Sequence, residues 1–194
     1  VKTENENLII ATELVDNVMN KAGIENYETI KKIMGTELEG VLCKHPFLDR
    51  ISRVVMGSDD TVAVELETGT GAVHTAPGYG KEDYLCGLKN GLEIVVTVDE
   101  KGHQTEGAGP FAGMFYAKSD KAIIEWLEEH NLLLHKQDLM HSYPHCWRCK
   151  TPIIYLATEQ WFIKVPEIKE KMLSEIDRVE WVPKWAGEGR FHDW

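Results

Sequence analysis

The chain has 194 residues, 32 of them acidic and 21 basic, for a formal net charge of −11. Affinity for polyanions comes mainly from Lys and Arg displacing counterions, so this balance excludes a general nucleic-acid coat and makes any such contact local. A composition 43% hydrophobic and 27% charged fits a globular domain with one real core, and no apolar run nears the roughly 18 residues of a membrane span.

The start, Val1 to Asn7, lacks the basic and apolar regions of a signal peptide, so the chain reads as cytoplasmic, with no membrane partner. Val1 in place of Met, and an aromatic-rich end from Trp185 to Trp194, read as a fragment of a longer protein. In chain order, Leu8–Ala11 predicts a short strand. A helix follows over Glu13–Ala22, with Leu14, Val15, Val18 and Met19 on one face and Gly23 as its stop. Residues 27–42 read as a strand pair broken at Gly35. Val62, Val64 and Leu66 alternate with polar or small residues at the period of a half-buried strand, and a second strand carries Ala72–Thr75 up to Pro77.

Beyond the loop Pro77–Gly80, a helix opens on Lys81–Asp83, and residues 91–98 form another strand. Residues 103–116, rich in Gly, read as a loop. Ser119 is the expected N-cap of a helix over Asp120–His130, with Ile123, Ile124 and Leu127 inward. Short strands at 132–135, 153–156 and 161–165 precede a last amphipathic helix, Pro166–Asp177. This mixture lacks βαβ spacing and predicts an α+β fold with a barrel-like sheet and peripheral helices. Residues 1–165 are the expected core domain, and 166–194 a helix and return segment.

Several chemistries are absent from the sequence: the phosphate-binding G-x-x-x-x-G-K-[ST], the dinucleotide G-x-G-x-x-G, H-E-x-x-H and the G-x-S-x-G elbow. What remains is the block from Thr68 to Asp83. There a strand delivers His74, a glycine-bearing loop lets backbone approach a ligand closely, and a helix start presents a carboxylate. His74 also reads as an ordinary strand histidine, and Asp83, third in a helix capped by Gly80, as a carboxylate serving free N–H groups.

Gly69-Thr-Gly-Ala-Val-His-Thr-Ala-Pro-Gly78 together with Asp83-Tyr84 resembles the editing-domain signature of isoleucyl-tRNA synthetases, in their connective peptide 1 insertion. Lys44-His-Pro-Phe47, the run from His141 to Tyr155 and Gln160-Trp-Phe162 fall in that family's order, so the resemblance covers nearly the whole chain. Valyl and leucyl enzymes share the Gly-Thr-Gly start but typically carry Lys or Met at the position of His74. The resemblance implies hydrolysis of valine mischarged on an isoleucine tRNA. Asp83 and His74 would be the catalytic pair, Asp83 holding the α-ammonium and His74 excluding isoleucine by size. Thr75, Gly78, Tyr79 and Gly80 would shape the substrate pocket.

It also implies partners and cofactors: the valine-charged 3′ end of tRNA(Ile), the remainder of a parent synthetase, no cofactor for editing, and ATP only in a catalytic domain whose motifs are absent here. A monomer is expected. Tyr79 stands where the family often has His, and Glu82 where it often has Asp. The family's threonine-rich peptide, which completes the pocket, lies before the position of Val1. Trp194 resembles the tryptophan at which the chain returns to the nucleotide-binding fold.

Cys146-Trp-Arg-Cys149 has the spacing of half a zinc ribbon, with two free thiols as the other reading and zinc expected only in the full-length parent. The stretch from His135 to Lys164, rich in Tyr, Trp and Lys, could stack on a single-stranded RNA end or be a strand pair with core aromatics. Trp181 and Trp185 read as interface residues left exposed. A rival to the hydrolase is a non-catalytic insertion module, positioning tRNA or bracing the parent through a zinc knuckle.

Overall fold

A computed structural model describes residues 1–58 and 61–193. The return tryptophan expected at Trp194 lies outside them. The chain divides into two compact units, Val1–Ala157 and Thr158–Trp194, a division earlier than the expected boundary at residue 165. No helix among the described residues is long and apolar enough to cross a membrane.

In the first unit, helix α1 spans Val15–Ala22 and buries Val15, Val18 and Met19 behind Leu14, the face expected from the spacing. Gly23 ends it at φ 69°, with its N–H on the Asn20 carbonyl and the Ile24 N–H on that of Met19. That paired closure needs a left-handed residue, which Gly supplies without a Cβ penalty. Helix α2, Lys81–Asn90, starts at Gly80 as expected and ends the same way at Gly91, φ 61°. Leu8–Ala11, expected as a strand, forms none.

The strands fall elsewhere than the pattern predicts. Strand β1, Leu42–Lys44, pairs antiparallel with β2, Ile51–Arg53, in the register Leu42 to Arg53, and His45 N–H donates to Arg50 to extend the hairpin. Residues 27–42 are not a strand pair. Gly35 opens a 3-10 turn, Gly35–Leu38, held by the Met34 N–H on the Glu37 carboxylate at 2.7 Å, so the chain beyond pairs forward instead of back. Residues 62–66, 72–75 and 91–98 carry no ladder among the described residues, and Val64 and Leu66 are exposed. A period of two names an inward face but not the partner that must cover it. The described residues thus mix helices with one two-stranded sheet, and a barrel-like sheet is not among them.

Helix α3, Tyr116–Glu129, begins earlier than expected, and Ser119 is not its cap. Ser119 is 1% exposed inside the first turn, donating to the Tyr116 carbonyl at 2.6 Å and accepting from Gln104 Nε2 at 3.1 Å. The loop before it is ordered by Asp99, which accepts the Lys101 and His103 N–H groups, and by a 3-10 turn over Glu106–Phe111. Bonds from His103, first of all, hold the Asp99 carboxyl below its ordinary range. Leu132–His135 and residues 153–156 form no strands.

The second unit consists of α4, Val165–Ile176, with Pro166 in its first turn, and a π-helical turn, Ala186–Phe191. Residues 161–164 precede α4 without forming a strand. Trp181 is not left exposed: it stacks on Phe191 at 4.7 Å, donates to the Ile176 carbonyl at 3.0 Å and packs on buried Gly187. Trp185 is exposed.

One position tests the packing of the first unit directly. Gly78 is buried, and a Cβ there would collide with the Val95 carbonyl oxygen and crowd Val96. Gly78→Ala should destabilise by about 1–3 kcal/mol, the usual cost of overpacking, read as a lower thermal midpoint in calorimetry.

Candidate functional site

The signature block folds as a wall. Gly71, at φ 84°, lies against Ala11, where a Cβ would come within 2.5 Å of the Ala11 methyl, and the Ala11 N–H donates to Thr70 at 2.8 Å. Pro77 rests on the backbone of α2 at buried Gly87, and the Ala157 N–H donates to Gly78 at 2.8 Å. Between these anchors run His74 and Thr75. Tyr79 then turns back, its hydroxyl accepting the Thr97 N–H at 2.7 Å and lying 2.9 Å from the Thr97 hydroxyl.

The wall faces a cavity of about 670 Å³, within the usual range for small-molecule sites. His74, Thr75 and Tyr79 line it, as does Cys86 of α2. Gly78 and Gly80 do not: the first gives close packing, and the second begins the helix. Asp83 also lies outside the lining. Of α2, it is Cys86, one turn further along the helix, that enters the lining. Half-buried, Asp83 leans over Gly80 and makes no hydrogen bond or ion pair among the described residues, the cap bond expected of it included. A carboxylate at that depth without a partner can take a cation.

The opposite wall was not foreseen. The β1–β2 hairpin contributes His45, Phe47, Arg50 and Arg53, and Gln104 adds a buried amide oxygen with no hydrogen-bond partner among the described residues. The Arg53 guanidinium donates to the Asn90 carbonyl at the end of α2, which ties the hairpin to the helix that carries Asp83. The Lys44–Phe47 motif was the available signal, but a motif does not reveal which cavity its imidazole borders.

Cys146 and Cys149 form a knuckle: the Cys146 N–H donates to Thr151 and the Lys150 N–H to Cys146, both at 2.9 Å, with Lys150 at φ 60°. Both thiols are free. His141 and His145 turn their Nδ1 atoms to the backbone oxygens of Ser142 and Tyr143, at 3.0 and 2.9 Å. No group of three or more His, Cys, Asp or Glu able to hold a metal occurs among the described residues, so the pair supplies half of a tetrahedral zinc set. Tyr143, Trp147 and Tyr155 are exposed and not core aromatics, and the Arg148 guanidinium lies 4.9 Å over the Trp147 ring.

A family model described as tRNA synthetases class I (I, L, M and V) matches residues 5–194. The isoleucine–tRNA ligase of Methanothermobacter thermautotrophicus is 48% identical over 200 residues, covering 100% of this chain and 18% of that protein. Those of Caldicellulosiruptor saccharolyticus and Archaeoglobus fulgidus are 48% and 45% identical, over 96% and 97% of this chain. The chain spans about a fifth of the length of these relatives, 20% and 19% for the last two. A match over nearly its whole length shows that the chain belongs to the class I tRNA synthetases of the isoleucine, leucine, methionine and valine group.

Proposed function

We propose that the chain is the editing part of an isoleucine–tRNA ligase and hydrolyses valine esterified to tRNA(Ile). The observation that carries this reading is the half-buried Asp83 carboxylate, without a partner among the described residues, on the helix whose Cys86 lines the same cavity as His74, Thr75 and Tyr79. Support also comes from the relatives, each named isoleucine–tRNA ligase. The α+β editing-domain fold, the cytoplasmic setting, the monomeric state and the absence of a cofactor for hydrolysis belong to the same proposal.

The need for such a site follows from binding arithmetic. A pocket that fits isoleucine rejects a ligand shorter by one methylene by only about 1–3 kcal/mol, and isoleucine against valine is the established illustration of that limit. A second, smaller sieve removes the error. Asp83 binds the α-ammonium through a charge-assisted bond, and His74 occupies the space that the larger side chain would need. Water attacks the ester carbonyl carbon, the bond to the ribose oxygen breaks, and that oxygen leaves with a proton, releasing valine and the tRNA. An activated ester asks for orientation and a polarised carbonyl, not an enzyme nucleophile.

Asp83→Ala should lower Val-tRNA(Ile) deacylation about 10- to 100-fold, the worth of a hydrogen bond to a charged group. Wild-type turnover by that variant in a deacylation assay overturns the role. His74→Ala should admit isoleucine, seen as new hydrolysis of correctly charged Ile-tRNA(Ile). Binding of tRNA without turnover by the unsubstituted chain would favour the rival, a positioning module.

The knuckle favours that rival's zinc-bracing form only as a half site, and it makes its own prediction. Hydrogen bonds from Thr151, then from Cys146, lower the Cys149 thiol to about 7. The thiolate therefore predominates above that pH and disappears below it. In a Cys43→Ser background, alkylation of Cys149 should rise through a midpoint near 7, and Thr151→Val should move that midpoint upward.

A further inference from the structure

His45 sits at the end of the hairpin ladder, where Pro46 and the following residues turn the chain toward β2. Its Nδ1 faces two backbone donors, the Phe47 N–H at 3.3 Å and the Leu48 N–H at 3.1 Å. A nitrogen that accepts from amides carries no proton, so the ring is the tautomer protonated at Nε2. The ring plane is fixed as well. His45 meets Phe47 edge-on at 4.5 Å, and Phe47 is held by Phe111 at 5.0 Å and Trp126 at 5.6 Å. The residue is half-buried and lines the same cavity as His74 and Thr75.

Its single remaining polar group is the Nε2–H. No hydrogen bond from that atom is made among the described residues, although the imidazole is oriented as firmly as any group in the wall. Burial first, then the nearby charges of Arg50 and His74, push its pKa below the ordinary histidine value. The ring therefore stays neutral near pH 7 and keeps the lone pair that the two amides need. A fixed donor on a residue that lines an open cavity is preorganised for an acceptor and loses little entropy on binding one.

We propose that His45 is a further ligand-binding residue of this cavity, presenting its Nε2–H to an acceptor oxygen of the bound aminoacyl-ribose. The proposal rests on the editing reading for the identity of its ligand. It makes the hairpin the second wall of the site, opposite the signature block, and gives the Lys44–Phe47 motif a role in binding as well as in folding.

The probe is adenosine carrying L-valine in amide linkage on its ribose, titrated into the whole chain. His45→Asn places an amide oxygen where Nδ1 accepts, so it keeps the turn, but it has no donor reaching as far as Nε2. It should melt with the unsubstituted chain and bind the probe about tenfold more weakly, the worth of one hydrogen bond. In ¹⁵N-correlated spectra of the unsubstituted chain, His45 should show the Nε2-protonated tautomer, and that nitrogen should shift on titration. Equal affinity of H45N, or an unmoved Nε2 resonance with the probe bound, overturns the role of His45 and leaves the editing reading standing. No binding by the unsubstituted chain overturns both. The nitrogen shift is decisive even where H45N melts early.

Discussion

The step Pro77–Gly78 is wedged on three sides, and the cavity wall depends on that wedge. Pro77 presses on the bare backbone of Gly87, Gly78 lies beneath the Val95 carbonyl, and the Ala157 amide donates into Gly78. Only Gly87 belongs to a regular element, α2, and none of the contacts is a ladder bond. A segment without a ladder is fixed instead by the absence of side-chain volume, because two glycines bring three backbones within contact distance. His74 and Thr75 on one side and Tyr79 on the other are thereby held without being in a sheet. Tyr79 completes the clamp through Thr97.

Charge is distributed with a similar economy. The chain as a whole is strongly acidic, yet the hairpin side of the cavity carries Arg50 and Arg53 beside the imidazole of His45. Arg53 is committed to the end of α2, where a cation complements the carbonyl-rich terminus. Arg50 is left to bias the cavity toward electron-rich groups, and it adds to burial in pushing the His45 pKa down. Asp83 sets the opposite sign on α2, the helix to which Arg53 is tied, so local charge departs from the overall charge of the chain.

The helices were legible because their evidence is local. Four apolar residues on one face and a closing glycine define α1, and Gly80 marks the start of α2. What failed depended on distant partners. Ser119 looked like a cap because Ser usually is one, but Gln104, fifteen residues away, draws it inward. Gly35 looked like a break within a strand pair, whereas the pairing runs on to Ile51–Arg53. In the site, the signature block singled out a stretch that lines the cavity through His74, Thr75 and Tyr79 but not through Asp83, while the hairpin wall stayed hidden. Nothing in the spacing of His45, Arg50 and Arg53 says which cavity the hairpin will border.

The anchors of the wall have a bearing on how the protein is assembled in time. Gly78 waits for Ala157, 79 residues later, and Thr70 holds Ala11, 59 residues earlier. Helices α1 and α3 close on neighbours within a few residues and can form early. The cavity pays the loop-closure entropy of both long connections before its wall exists. On a ribosome the chain emerges from its N-terminus, so Thr70 can find Ala11 at once, whereas Gly78 stays unlatched until the knuckle and the residues after it have been made. The pocket is therefore among the last parts of the first unit to become defined.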